Sequence, residues 1–156
     1  MLIWFAATSV VLVAVVFRSG AIDYRTVIVG SLLPWLEAPF GPGPLHSVVG
    51  AVVLLTLVML ATRRRRLVRR RLLGLPIGLM CHLVLDGSFT RTDVFWWPLT
   101  GTEISGQVPA LSHVGLSLAL EVAGIAVAVW AWRWFGLQNP AARARFVSDG
   151  RLVAPS

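Results

Sequence analysis

The chain of 156 residues is 56% apolar and 13% charged, with a mean hydropathy of +0.77. Soluble domains usually carry about a quarter charged residues, so this composition excludes an ordinary soluble domain and predicts a membrane protein. The net charge of +7 comes from fourteen arginines and no lysine. They cluster between apolar stretches, which is typical of membrane topology and lipid-phosphate contact, and nucleic-acid binding is not expected.

Four apolar stretches predict spanning helices, at residues 1–17, 45–61, 72–85 and 111–135. The third is short, because a span needs about 20 residues. Between the first two, an apolar run with Pro34 near its end is too short to cross and predicts a re-entrant or interfacial helix. The predicted fold is all-α: a polytopic membrane protein of about four transmembrane helices, with residues 1–135 as one membrane domain and 136–156 as a cytoplasmic tail.

The arginines predict the orientation of these spans. Seven of them fill the loop between the second and third spans: Arg63, Arg64, Arg65, Arg66, Arg69, Arg70 and Arg71. Cytoplasmic loops carry an excess of basic residues, so this loop should be cytoplasmic. With four spans, both termini are then expected in the cytoplasm.

The three histidines fall at edges of apolar stretches that this topology places on the outer side. His46 opens the second span, His82 closes the third and His113 opens the fourth. Asp86 follows His82 by four residues, so the two share a helix face. Ionisable groups are costly in a membrane, and imidazole with carboxylate suits zinc and other first-row divalent ions. The set predicts a metal or proton-transfer site, although a lone histidine at a helix end is more often an interfacial or hydrogen-bonding residue.

Three acidic residues have separate interpretations. Glu37, in the short intervening segment, is a candidate general base or fourth ligand, with a solvated interfacial carboxylate as the alternative. Asp23 is expected to start a helix. Glu121, two turns inside the fourth span, is expected to hydrogen-bond to another helix.

Four motifs occur in a characteristic order: Gly-Ser-Leu-Leu-Pro at 30–34, Leu-His-Ser at 45–47, His-Leu-Val-Leu-Asp-Gly at 82–87 and Trp-Pro at 97–98. In this respect the chain resembles predicted membrane-bound metal-dependent hydrolases, the group that includes LexA-regulated inner-membrane hydrolases. The resemblance covers about half of the chain. It implies a four-helix, multi-pass protein of the bacterial plasma membrane that binds a divalent metal ion through His46, His82 and Asp86. The chemistry of these ligands favours zinc. Where the family has Pro-Asp-x-Asp, this chain has Pro34-Trp35-Leu36-Glu37, which retains one acid.

Two functions follow as expectations. The first is a metal-dependent hydrolase acting at the outer membrane face on a lipid-linked or amphipathic ester, phosphoester or amide, with Glu37 or His113 as the base. The second is a non-catalytic membrane subunit that binds a partner protein and keeps a degenerate metal site. The expected partners are membrane lipids and a lipid-like substrate, with a membrane protein partner under the second function.

Overall fold

The computed structural model describes residues 1–18, 22–37, 39–41, 43–101 and 114–152, and within these ranges the chain is helical with no β-strand. The predicted all-α class is confirmed. The α-helices are α1 (Leu2–Phe17), α2 (Tyr24–Leu32), α3 (Val48–Ala61), α4 (Arg66–Leu72), α5 (Gly74–Leu85), α6 (Thr92–Phe95), α7 (Val114–Trp134) and α8 (Pro140–Asp149). Short 3-10 helices occupy Leu33–Leu36, Pro44–His46 and Ser88–Thr90.

Helices α2 and α5 cross in close contact at the centre of the bundle, and glycines permit the approach. A Cβ atom added to Gly74 would collide with the Thr26 hydroxyl, and one added to Gly78 would collide with the Val27 carbonyl. Glycine has no Cβ, so the two backbones can come together where any other residue would hold them apart. Val27 is fully buried at this crossing.

Helices α1 and α7 lie side by side and run in the same direction. The Glu121 carboxylate accepts hydrogen bonds from the Ile3 and Trp4 amides, at 3.2 and 3.5 Å, and lies 3.2 Å from the Met1 amino group. Further along, Val10, Val13 and Ala14 of α1 join Ala131 and Phe135 in one buried apolar cluster. The expectation that Glu121 bonds to another helix is confirmed, and its partner is the first turn of α1, whose amide groups have no acceptor within the helix.

The bundle has two chemically different ends. We call the end that holds His46 and His82 the histidine end, and the end that holds residues 63–71 the arginine end. Phe5 stacks on the His82 ring with 4.0 Å between the centroids, so the start of α1 lies at the histidine end. Phe17 shares a groove with Pro76 near the start of α5, so α1 finishes at the arginine end.

Helix α2 returns the chain from the arginine end to the histidine end. Asp23 caps α2 by accepting a hydrogen bond from the Arg25 amide at 3.1 Å, which confirms it as a helix-start residue. The Thr26 hydroxyl donates to the Arg71 carbonyl at 2.6 Å, which fixes the first turn of α2 at the arginine end. At the other end of α2, Ser31 contacts His82. The short intervening segment therefore connects the two ends of the bundle.

This return pass determines where the amino terminus lies in the bundle. With four spans both termini were expected on one side, but Met1 lies beside Glu121 towards the histidine end. Gly150, in contrast, accepts a hydrogen bond from the Tyr24 amide at 2.8 Å at the arginine end. The two termini of the described chain thus lie towards opposite ends, because α2 adds one traverse that the length of its apolar run did not predict.

The segment after α7 packs back on the bundle. Asn139 caps α8 by accepting from the Ala141 amide at 2.9 Å. Leu137 and Leu152 are buried, and Phe146 packs against them. Arg25 donates to the Val147 carbonyl at 2.5 Å, which attaches the end of α8 to the start of α2. The expected tail is therefore, over residues 137–152, an integral part of the folded bundle.

One helix in the described part of the chain, α7 with 21 residues, is long and apolar enough to cross a membrane. Helices α1 and α3 are apolar but have only 16 and 14 residues, about 24 and 21 Å by helix rise. Large apolar side chains are nevertheless exposed on all three helices, for example Val16 at 64%, Leu60 at 62% and Leu118 at 67%.

Candidate metal centre

His46 ends a 3-10 turn that leads directly into α3. Ser47 caps α3 by accepting from the Gly50 amide at 2.9 Å, while its own hydroxyl donates to the Pro44 carbonyl at 2.7 Å. Capping residues and proline favour a defined helix start. The His46 side chain is thereby buried, with 1% of the residue exposed, at the histidine end.

The Glu37 carboxylate organises the segment before α3. It accepts hydrogen bonds from the Gly43 and Leu45 amides at 3.0 and 2.9 Å, and its Oε2 atom lies 3.0 Å from His46 Nδ1. Because the carboxylate acts as acceptor, Nδ1 of His46 carries the proton in this contact. Glu37 therefore orients the imidazole and leaves Nε2 for other partners.

His82 is held in an equivalent way by a backbone group. Its Nδ1 atom lies 2.7 Å from the Ser31 carbonyl oxygen of α2. A carbonyl can only accept, so Nδ1 donates and Nε2 of the neutral ring keeps its lone pair. The face of the ring is covered by Phe5, and the residue is 2% exposed.

Asp86 follows α5 immediately and forms its C-cap. Gly87 adopts a left-handed backbone with φ of +70°, a conformation that glycine allows without steric cost. The chain then turns so that the buried Ser88 hydroxyl donates to Asp86 Oδ2 at 2.9 Å. Burial raises the pKa of the Asp86 carboxyl, and the Ser88 hydrogen bond acts in the opposite direction.

His46, His82 and Asp86 come together at this end of the bundle. One potential ligand atom from each residue lies within 4.8 Å of the others, and both histidines are buried. The imidazole rings are perpendicular, with centroids 5.8 Å apart. Two neutral imidazole nitrogens and one carboxylate oxygen are the donor set of many zinc and first-row metal sites. The group could hold a divalent metal ion.

The predicted residues have three different outcomes. The close approach of His46, His82 and Asp86 was expected and is found. Glu37 lies beside the group as the hydrogen-bond partner of His46, so the geometry favours a supporting role, and its expected role as base or ligand stays a prediction. His113 lies outside the described residues.

Two residues that contact His82, Ser31 and Phe5, could not be identified from the sequence. Ser31 acts through its backbone carbonyl, so no side-chain chemistry marked it, although it belongs to the Gly-Ser-Leu-Leu-Pro motif. Phe5 is one of many apolar residues in α1, and its stacking on His82 depends on the direction of that helix.

Comparisons of this chain with protein-family models, with curated proteins and with solved structures find no match. The interpretation of the centre therefore depends on its own geometry.

Proposed function

We propose that this chain is an integral membrane protein that binds one divalent metal ion between His46, His82 and Asp86 and uses it for hydrolysis of an amphipathic ester, phosphoester or amide. The observation that carries the proposal is the pair of Nδ1 contacts, from His46 to Glu37 and from His82 to the Ser31 carbonyl. Metal-binding histidines typically donate their other ring N–H to a carboxylate or carbonyl, which fixes the tautomer and directs the free nitrogen at the ion.

The donor set fits this role in charge as well as in geometry. One carboxylate and two neutral imidazoles leave net positive charge on a divalent ion, so the ion remains a Lewis acid. When bound, it would supply activation of water and polarisation of the substrate oxygen. Glu37 and the Ser31 carbonyl keep the two imidazoles in place, and Ser88 keeps the Asp86 carboxylate in place.

The placement in the membrane is part of the proposal. Helices α1, α2, α3, α5 and α7 are proposed to traverse the bilayer, and the exposed apolar side chains of α1, α3 and α7 support this. Of the fourteen arginines, thirteen lie towards the arginine end, including Arg18 and Arg25. The exception is Arg91. By the positive-inside rule the arginine end is cytoplasmic, which places the metal centre and Met1 towards the outer face of the bacterial plasma membrane.

An amphipathic substrate is proposed because an apolar groove runs along the bundle. The groove, of about 330 Å³, lies between α1, α3 and α5 and is lined by Leu12, Ala51, Cys81 and Val84, among others. The hydrocarbon chain of an amphipathic substrate would fit this groove.

Hydrolysis is tested with purified protein in an uncharged detergent, supplied with Zn²⁺ or Mn²⁺, against matched amphipathic esters, phosphoesters and amides. Turnover is expected in the wild type and is expected to be lost in His82→Ala and in Asp86→Ala. Asp93→Asn is the control, because Asp93 is an exposed carboxylate of α6. His113→Ala tests the predicted base separately.

A non-catalytic subunit with a degenerate metal site is the second candidate, and it is favoured by the engagement of the Glu37 carboxylate with His46. Metal binding that depends on His82, with no turnover of any substrate class, would favour this candidate.

A further inference from the structure

A second groove lies between α1, α2, α7 and α8. It has a volume of about 370 Å³ and is almost entirely apolar. It follows α1 from Ile3 towards Val10 and ends against Phe135, Leu137 and Leu152. The groove therefore runs along the bundle from near the histidine end to the arginine end, which is the direction of a hydrocarbon chain in a bilayer.

A polar cleft continues this groove at the arginine end. The cleft has a volume of about 170 Å³ and is lined by Arg145, Asp149 and Arg151. Phe135, Leu137 and Leu152 line both the groove and the cleft. An apolar channel and a charged cleft with a shared wall form one amphipathic surface.

The electrostatics of the cleft favour an anion. Arg145 and Arg151 are exposed, and neither makes an ion pair with a residue in the described ranges. Asp149 is the acidic member, and Arg25 lies near it, since its guanidinium donates hydrogen bonds to the Val147 and Ser148 carbonyls. Guanidinium groups bind phosphate oxygens through paired hydrogen bonds.

We propose that this surface is a binding site for an anionic phospholipid, whose acyl chain lies in the α1–α7 groove and whose phosphate binds Arg145 and Arg151. The proposal depends on the membrane placement proposed above and is independent of the metal centre. It explains why residues 137–152 fold back on the bundle, since their packing builds the cleft.

The test measures lipid binding by native mass spectrometry and by thermal stabilisation of delipidated full-length protein in an uncharged detergent. The probes are phosphatidylglycerol, phosphatidylcholine and inorganic phosphate. Phosphatidylglycerol should bind at least tenfold more tightly than phosphatidylcholine, and its binding should weaken when salt rises from about 0.1 to about 0.5 M, because salt screens exposed charges. Metal content, measured on the same samples, should not change with lipid.

Three variants locate the site. Arg145→Gln with Arg151→Gln should weaken phosphatidylglycerol binding at least tenfold, and Ala128→Phe, which fills the groove, should weaken the binding of both lipids. The matched control is Arg70→Gln with Arg143→Gln, an exposed pair that does not line the cleft and should change binding less than threefold. Equal binding of the two lipids, an equal effect of the control pair, or full competition by inorganic phosphate would each overturn the proposal.

Discussion

The Nδ1 atom of His82 lies 2.7 Å from the carbonyl oxygen of Ser31, a residue 51 positions earlier in the chain. This contact joins α5 to α2 and leaves Nε2 as the ring nitrogen of His82 that can bind a metal ion. The metal centre therefore depends on how closely α2 and α5 pack, and that packing depends on the glycines at their crossing.

Replacement of Gly78 by alanine should disturb this crossing. The new Cβ would meet the Val27 carbonyl, and overpacking of a well-packed contact typically costs about 1–3 kcal/mol. We expect a lower free energy of unfolding in Gly78→Ala, seen as a lower midpoint of thermal unfolding in detergent, and weaker metal binding. Gly115→Ala is the matched control, since no atom lies within 4 Å of a Cβ at that position of α7. Equal midpoints in the two variants would contradict the role assigned to Gly78.

Glu37→Gln tests the supporting role of the carboxylate. Changes to groups that orient a metal-binding histidine usually cost about 10–100-fold in metal affinity or activity, so a loss of this size in zinc affinity is expected. Isothermal titration of the apo protein with zinc measures it. Unchanged affinity together with a loss of turnover of about 10²–10⁴ would instead indicate a general base. Complete loss of binding would indicate a direct ligand.

The pair Asp23 and Arg25 predicts a pH-dependent contribution to stability. Burial disfavours the Asp23 carboxylate, but hydrogen bonds and charge from Arg25 outweigh it, and the pKa of Asp23 is lowered. A lowered pKa stabilises the fold above the ordinary pKa, and this contribution is lost as the pH falls through the folded-state pKa. Asp23→Asn should lower the free energy of unfolding by about 1 kcal/mol at neutral pH, because the Arg25 partner is partly exposed.

Thermal unfolding from pH about 7 to about 3 measures this difference. The midpoints of wild type and Asp23→Asn should converge at the acidic end, whereas Asp93→Asn should match the wild type at neutral pH. A constant separation of the Asp23→Asn midpoint across the range would show that the ion pair is not its cause.

Topology is tested by reporters at the two ends of the chain. A reporter fused after Ser156 should be active in the cytoplasm, and one fused before Met1 should be active on the other side, because α2 makes a return traverse. A reporter inserted near Gly101 should agree with the one at Met1. Activity of both terminal reporters in the cytoplasm would restore the four-span arrangement and contradict the placement of α1.

Some of the centre could be predicted because it depends on local patterns. His82 and Asp86 share a face by their spacing of four, and an arginine-rich loop between two apolar stretches places His46 and His82 at the same end. Helix periodicity and the distribution of charge are enough to predict these two relationships, because neither depends on how the helices pack.

The return traverse of α2 could not be predicted from length. The thirteen residues from Tyr24 to Leu36 are short for a membrane span. Helix α5 also connects the arginine end to the histidine end with only 12 residues, so a short segment is enough to cover that distance. The contact of Glu37 with His46 could not be predicted either, because it depends on a turn through Gly43 rather than on helix periodicity. Such contacts depend on tertiary packing, which a pattern of residues along the sequence does not reveal.

The central claim, that His46, His82 and Asp86 bind a metal ion, is tested most directly by metal analysis of the full-length protein purified without chelator. Elemental analysis of wild type, His82→Ala and Asp93→Asn should give about one divalent ion per chain in the wild type and in the Asp93→Asn control. The metal content of His82→Ala should be at least tenfold lower, because removal of a ligand weakens metal binding more than removal of a supporting contact. A folded wild type without metal, or a His82→Ala variant that retains it, would contradict the claim.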